Sequence, residues 1–223
     1  MEKLQRNRAG TTQRIIDALE RILAQEGLQG VGVSAIAQEA KVSKVLIYRY
    51  FGSIDGLLEY YVKMGRIVPH HTPTWLEQIQ PTTPAELAPI WSGQSLQLFR
   101  QLRACRASRE LLKAAVTEKE PLAETISKSM DAEMTRLAQQ MAFIEGGDHQ
   151  ATSAVILGAL SFLTIQAQND RTMMGIDLRS EEGWSRIEEA VKGIYKAVAK
   201  QALDSPNIRL TLKANQALVS TWS

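Results

Sequence analysis

Apolar residues recur at three- and four-residue intervals along almost the whole chain, and the pattern predicts helix after helix. A first helix carries Ile15, Ala18 and Leu19 and ends near Gly27. Ile36, Ala37 and Ala40 then fall on one side of a second, short helix. Lys41-Val42 interrupts that pattern, and Ser43 is placed to cap a third helix with its hydroxyl. In that third helix Ile47 and Phe51 point inward, with Val42 as a plug between the two helices. Lys44, Val45, Tyr48 and Arg49 are left on the opposite face, with Leu46 and Tyr50 at its flanks. Gly52 closes the helix, and Ser53 opens the next with Asp55 near its positive end.

Beyond about residue 66 the helical spacing continues, with no β alternation and no hairpin pair. Pro69, His70, His71 and Pro73 mark an irregular connection. Thr83-Pro84-Ala85-Glu86 is a start signal, with Pro89 expected to kink the helix or shift its start before it runs through Phe99 and Leu102 toward Cys105. Ser108 is expected to open a shorter helix to about Val116. A stripe of Leu122, Ile126, Met130, Met134, Leu137, Met141 and Ile144 predicts a helix from Pro121 to Ile144, ended by Gly146-Gly147. Asp148 and Ser180 cap the last two long helices. The first is apolar on much of its circumference, and a helix apolar on more than one side needs more than one neighbour. The small residues Ala151, Gly158, Ala190 and Gly193 permit close approach, so a second copy of the chain is one candidate neighbour and the chain's own core is the other. Residues 204–223 carry only a weak pattern and are read as a C-terminal tail.

Composition bounds the function. With 44% hydrophobic and 22% charged residues the chain is an ordinary soluble globular protein. The net charge is only +2, but residues 1–66 hold 10 Lys+Arg against 7 Asp+Glu, so basic character gathers at the N-terminal end. Lys3, Arg6, Arg8 and Arg14 are placed there to follow a phosphate backbone or to form a solvated arm. One cysteine, Cys105, excludes an internal disulfide framework and fits a reducing cytoplasm. The N-terminus has no secretory pattern, and Ala154 to Ile165 is too short and too rich in Ser, Thr and Gly for a membrane span. Three histidines and one cysteine give no zinc spacing, and neither a nucleophile elbow nor a phosphate-cradling loop is present. The reading is therefore of a cytoplasmic protein that is not an enzyme, with no cofactor, no metal and no membrane partner.

The third helix carries the positive signal. Lys and Arg meet phosphates or guanine edges, tyrosine hydroxyls reach phosphates, and Val or Leu can touch a thymine methyl. Residues 11–61 resemble the DNA-binding domain of the tetracycline-repressor (TetR/AcrR) family of bacterial transcriptional regulators. The resemblance rests on Ile15, Ala18, Leu19, Gly27, Val33, Ile36, Ala37, Ala40, Val42, Ser43, Tyr48, Phe51, Ser53, Leu57 and Leu58. It implies an all-α fold: a helix-turn-helix domain over 1–52, a connecting helix over 53–66, and a helical ligand-binding and dimerisation domain over 67–203. It also implies DNA contacts from Ser34, Ser43, Lys44, Val45, Leu46, Tyr48, Arg49 and Tyr50. Three positions depart from the family pattern: Lys41 stands where the turn glycine is common, Gly32 replaces a hydroxyl cap, and Ile54 replaces a phosphate-binding lysine.

From the resemblance follow a homodimer and a palindromic operator in double-stranded DNA, with half-sites about 34–36 Å apart or a multiple of that. The dimer interface is expected over 148–203, through Ala151, Val155, Gly158, Phe162, Trp184, Ile187, Val191, Ile194 and Val198. A small-molecule effector is expected among Trp91, Phe99, Leu102, Met130, Met134, Met141, Phe162 and Gln166, although a methionine stripe at this spacing also fits plain core. With no cationic cluster in the body, the effector is expected to be uncharged or weakly polar. The expected function is a ligand-released repressor; an activator, or a helical adaptor with the same head, is the alternative.

Overall fold

The structure, a computed structural model, describes residues 2–81, 83–145, 148–204 and 209–210. Among these are ten α-helices and four two-residue strands. The described residues form two compact units, one from those up to Val68 with Gln101–Glu133, the other from Pro69–Arg100 with those from Met134 onward.

The first unit is built on α1 (Glu2–Glu26), whose Ile15, Ile16, Leu19 and Leu23 are completely buried. A single turn at Leu28–Gly30 leads into α2 (Val33–Ala40), α3 (Lys44–Phe51) and α4 (Ile54–Tyr61). The helix expected to run on to Arg66 widens into a π turn over Val62–Arg66, where Gly65 leaves helical angles at φ 80°. This unit also contains the end of α6 (Leu87–Ala104), α7 (Arg106–Thr117) and the first part of α8 (Pro121–Gln140). α7 packs on α1, burying Leu111 and Leu112.

The junction from α2 to α4 is held by backbone geometry. α2 closes with Val42 N–H on Ala37 O (3.0 Å) and Lys41 N–H on Gln38 O (3.2 Å), the paired bonds of a Schellman motif. Lys41 sits at its left-handed position, φ 53°, ψ 48°, where a side chain costs about 1–2 kcal/mol. Gly32 before α2 is extended and caps with no side chain, as expected. Ser43 stands at the N-cap position of α3, but its hydroxyl accepts no backbone N–H, contrary to expectation. Ser53 does cap α4, accepting from Gly56 N–H at 3.0 Å. A Cβ on Gly56 would lie 2.1 Å from the Phe51 carbonyl oxygen, so only glycine lets α4 start this close to α3.

A partly buried polar contact ties α4 back to α1. The fully buried Tyr61 hydroxyl donates to Glu20 Oε1 at 3.0 Å, and Arg66 Nη1 donates to the same oxygen at 2.5 Å. Burial and the neighbouring Glu20 charge raise the Tyr61 phenol well above the ordinary tyrosine range, so it stays a donor.

The second unit contains α5 (Pro73–Gln78), most of α6, the end of α8, β1 (Ile144–Glu145), α9 (His149–Gln168), β2 (Thr172–Met173), β3 (Ile176–Asp177), α10 (Glu181–Asp204) and β4 (Arg209–Leu210). Asp148 and Ser180 cap as expected: Ala151 N–H donates to Asp148 Oδ1 at 2.8 Å, and Gly183 N–H to Ser180 Oγ at 2.9 Å. α6 begins at Leu87, after a tight turn over Pro84–Glu86, so Pro89 falls in its first turn and breaks no bond.

Three expectations need correction. Ser108 does not open α7; Cys105 stands at the N-cap position and Ser108 is buried inside the helix. α8 stops at Gln140, and Ile144 lies in β1, whose backbone pairs antiparallel with β4; the Gly146-Gly147 stop lies outside the described residues. A hairpin does exist: β2 pairs with β3 across Met174-Gly175, both at positive φ (52° and 75°), the requirement of a tight primed turn. Methionine occupies a slot usually filled by Asn or Gly, which hid the turn. Of the expected tail, only Asp204 and the β4 residues lie among those described.

Two substitutions at the α2–α4 junction should move stability in opposite directions. Lys41→Gly relieves the left-handed strain and should raise the melting temperature by about 2–4 °C, for about 1 kcal/mol. Gly56→Ala should lower stability by about 1–3 kcal/mol, as overpacking does. Thermal melts of the two variants beside the parent protein check both signs.

Candidate nucleic-acid interface

α3 is eight residues long and buries one side chain completely, Ile47. That anchor sets the direction of everything else on the helix. Ser43, Lys44, Val45, Tyr48 and Arg49 are exposed, Leu46 and Tyr50 are half-buried at the flanks, and Ser34 is exposed on α2. Val45 is 70% exposed and Tyr48 53%. All eight residues expected at this surface are thus open or flanking. Ile54 is half-buried at the start of α4 and brings no charge where a lysine is usual.

Aromatic edges fix the far end of the helix. Tyr50 meets Phe51 at 6.3 Å between ring centroids, and Phe51 meets Tyr60 on α4 at 5.3 Å, both edge to face. The charges divide sharply. Arg21 pairs with Glu39 at 2.6 Å, Arg66 with Glu20, and Lys63 with Glu59 at 3.2 Å. Lys41, Lys44 and Arg49 meet no carboxylate among the described residues. Cations left unpaired beside the exposed Tyr48 can give their N–H donors to phosphates or to guanine edges without first breaking an ion pair.

Three groups of this unit escaped the sequence reading. Gly56 is required by the approach of α4 to Phe51, and a glycine in the first turn of a helix was its only signal. Asp55, read as a dipole partner, also accepts from Thr125 Oγ1 at 2.8 Å. The Glu20–Tyr61–Arg66 cluster joins residues too far apart in sequence for spacing to reveal.

In the second unit a cavity of about 50 Å³ is lined by Trp91, Gln94, Ser95, Leu137, Met141, Leu157 and Tyr195, among others. Trp91 Nε1–H donates to Met141 O at 2.7 Å, and the Ser95 and Tyr195 hydroxyls share a buried bond of 2.6 Å. Burial raises the Tyr195 phenol above its ordinary range. Of the expected effector residues only Trp91 and Met141 line this cavity. Leu102 and Met130 are buried core of the first unit, because α8 and α6 each pass from one unit to the other and one stripe serves two cores. Phe99 is buried core and Met134 half-buried, neither at the cavity; Phe162 is 46% exposed. Gln166 is half-buried, with its amide oxygen enclosed and unbonded. Gln94, Ser95 and Tyr195 were not anticipated, since isolated polar residues on amphipathic helices carry no pattern.

The residues expected to meet a second copy also divide. Ala151, Val155, Gly158, Phe162 and Ile194 are exposed, Val155 at 72% and Ile194 at 49%. Ile187 and Val198 are half-buried, and Val198 lines the cavity. Trp184 and Val191 are buried within the unit, Trp184 donating to Leu178 O at 2.5 Å. Over Gln150–Gln168, α9 is long and apolar enough by length and composition to cross a membrane, with mean hydropathy 1.3, which the shorter stretch Ala154–Ile165 did not suggest. No group of three or more His, Cys, Asp or Glu able to hold a metal occurs among the described residues.

α2, its Schellman turn and an outward-facing α3 make up a helix-turn-helix DNA-binding domain. Residues 15–61 match the family model described as bacterial regulatory proteins, tetR family. Residues 15–61 therefore carry a DNA-binding domain similar to that of the tetR family of bacterial regulatory proteins. The fold is similar to that of a TetR transcriptional regulator of Agrobacterium tumefaciens, with TM-score 0.57 and 16% identity over 84% of this chain and 93% of that one. It is also similar to a transcriptional regulator of Aquifex aeolicus (0.55, 16%, 84% and 99%). A third similar structure is the fatty acid degradation regulator of Bacillus halodurans (0.52, 21%, 89% and 97%). No curated protein sequence matches this chain.

Proposed function

We propose that this protein is a tetR-family transcriptional regulator, a cytoplasmic homodimer that represses by holding a palindromic operator and releases it when a small, largely apolar effector enters its helical body. The observation that carries the reading is the outward face of α3, where Lys44 and Arg49 stand without carboxylate partners beside exposed Tyr48 and Val45. In this reading Ser34, Ser43, Lys44, Arg49, Tyr48 and Tyr50 meet phosphates or base edges, and Val45 and Leu46 meet thymine methyls.

Dimerisation is supported by the outward faces of the last two long helices. α9 exposes Ala151, Ala154, Val155, Gly158, Ala159 and Phe162, and α10 exposes Ala190, Gly193, Ile194 and Ala197. Open space lies above Gly158 and Gly193, so a neighbouring helix can come close at both. An apolar, small-residue stripe of this kind suits a twin helix, and one recognition helix alone reads too few bases. The effector site is proposed at the cavity walled by Trp91, Leu137, Met141, Leu157 and Tyr195, within a ligand-binding and dimerisation body over 67–203. Its lining of aliphatic and aromatic groups with a few hydroxyl and amide groups suits an uncharged, partly aromatic compound.

Binding to the DNA upstream of the protein's own gene tests the head. Lys44→Ala and Arg49→Ala should each weaken binding by about 1–3 kcal/mol with an unchanged melting temperature. Full affinity in both variants would reject this face as the contact. A separate test addresses assembly. Val155→Asp with Ile194→Asp should convert a dimer to a monomer in sedimentation and weaken operator binding on the order of 100-fold or more, because two linked half-site contacts become one. A monomeric parent protein would remove the dimer.

A further inference from the structure

We propose that Arg8, outside the family-matched segment, is an additional DNA contact: Tyr50 holds its guanidinium beside the recognition helix, where it takes a backbone phosphate. The inference rests on the proposed docking of the α3 face into DNA. Arg8 lies on α1, and its guanidinium carbon stands 5.3 Å from the centroid of the Tyr50 ring. That distance is within the range at which an aromatic face attracts a cation. The contact joins residues 42 positions apart (50 − 8), so helical spacing did not create it. Tyr50 is itself on the flank of the proposed DNA face, and so the ring places the charge at the edge of that face.

Two other arginines of α1 have polar partners. Arg14 donates to Thr11 Oγ1 at 3.4 Å, and Arg21 pairs with Glu39. Arg8 is exposed and meets no carboxylate among the described residues. It borders an open cleft of about 430 Å³ with Thr12, Gln13, Ile16, Tyr60 and Met64, and no carboxylate lines that cleft. A guanidinium held over an aromatic ring by cation–π attraction spends none of its N–H donors on the ring, and those donors are what a phosphate accepts from. The ring therefore orients the donors without consuming them. Contact with a phosphate is independent of base sequence, so the effect should appear on any duplex.

The test uses the full-length protein and a mixed-sequence DNA duplex, titrated by fluorescence anisotropy across a series of KCl concentrations. Arg8→Ala should lower affinity about 10-fold at low salt and reduce the slope of log K against log [KCl] by about 0.9, one phosphate's share. Arg8→Lys should keep the parent slope. Tyr50→Leu should lose more affinity than Tyr50→Phe in the parent background, and the two should be equal when combined with Arg8→Ala. An unchanged slope in Arg8→Ala overturns the inference while the docking of α3 stands. Equal losses for Tyr50→Leu and Tyr50→Phe in the parent background overturn the positioning by the ring. A parent protein that binds no duplex at all, as a verified dimer at low salt, overturns both readings together.

Discussion

An eight-residue helix cannot hold itself in water, since isolated helices shorter than about 12–15 residues are marginal. α3 therefore takes its existence and its direction from what grips it. Ile47 is its only completely buried side chain, and one buried anchor leaves rotation about the helix axis poorly fixed. The remaining constraint comes from the two ends. At the N-terminal side the Schellman closure sets the angle at which the chain leaves α2. At the C-terminal side Gly52 turns the chain at φ 78°, and Gly56 lets the first turn of α4 lie against the Phe51 carbonyl. The aromatic series Tyr50–Phe51–Tyr60 then fills the corner. A surface that must dock in one orientation is thus fixed mainly by backbone turns, which leaves its side chains free to be chosen for their chemistry.

The same solution recurs at the other end of the chain. Ser180 caps α10 through Gly183, and a Cβ on Gly183 would lie 2.0 Å from the Asp177 carbonyl oxygen, as Gly56 would from Phe51. In both helices a serine accepts from a glycine N–H three residues on, where a capping box would place Glu or Gln. The serine was legible in the sequence as a cap, but the glycine was not, because its role is to be absent at a point of contact. The same distinction separates most of what was legible from what was not. The face of α3, the caps at Ser53, Asp148 and Ser180, and the run of helices follow local rules of period and capping. The hairpin at Thr172–Asp177 follows a local rule too, but Met174 at φ 52° is an unusual residue for it. The effector residues required knowing that α8 passes between units at Glu133, which no period encodes.

Charge placement shows a second kind of selection. Arg21, Lys63 and Arg66 each have a carboxylate nearby, and exposed pairs of this kind contribute little to stability. Their effect is instead to remove those cations from competition for a polyanion. Arg66 is strengthened further, its guanidinium held charged by the hydrogen bond to Glu20. Four cations without carboxylate partners, Lys41, Lys44, Arg49 and Arg8, belong to α3, to the turn before it, or to the segment of α1 beside Tyr50. A head with a net charge of only +3 over residues 1–66 can therefore present a locally stronger positive surface than its total suggests.

The size of the body cavity constrains how an effector could act. Drug-sized ligands occupy pockets of about 300–1,000 Å³, and the cavity here measures about 50 Å³. Entry of the proposed effector must therefore select an opened arrangement, and its apparent affinity falls by the fraction of molecules that are open. Two hydrogen bonds join residues of its wall, Trp91 Nε1–H to Met141 O and Ser95 with Tyr195, and enlarging the cavity between them breaks both. At about 0.5–1.5 kcal/mol net for each, breaking both costs about 1–3 kcal/mol, enough to hold the open form to roughly one part in ten to one in a hundred. A purely apolar compound would bear that cost in full and leave the Ser95 and Tyr195 hydroxyls without partners. A compound carrying one hydroxyl or carbonyl group could reform a bond to either of them. The wall that resists opening is thus the same wall that would discriminate among effectors, favouring those that combine an aromatic or aliphatic body with a single polar group.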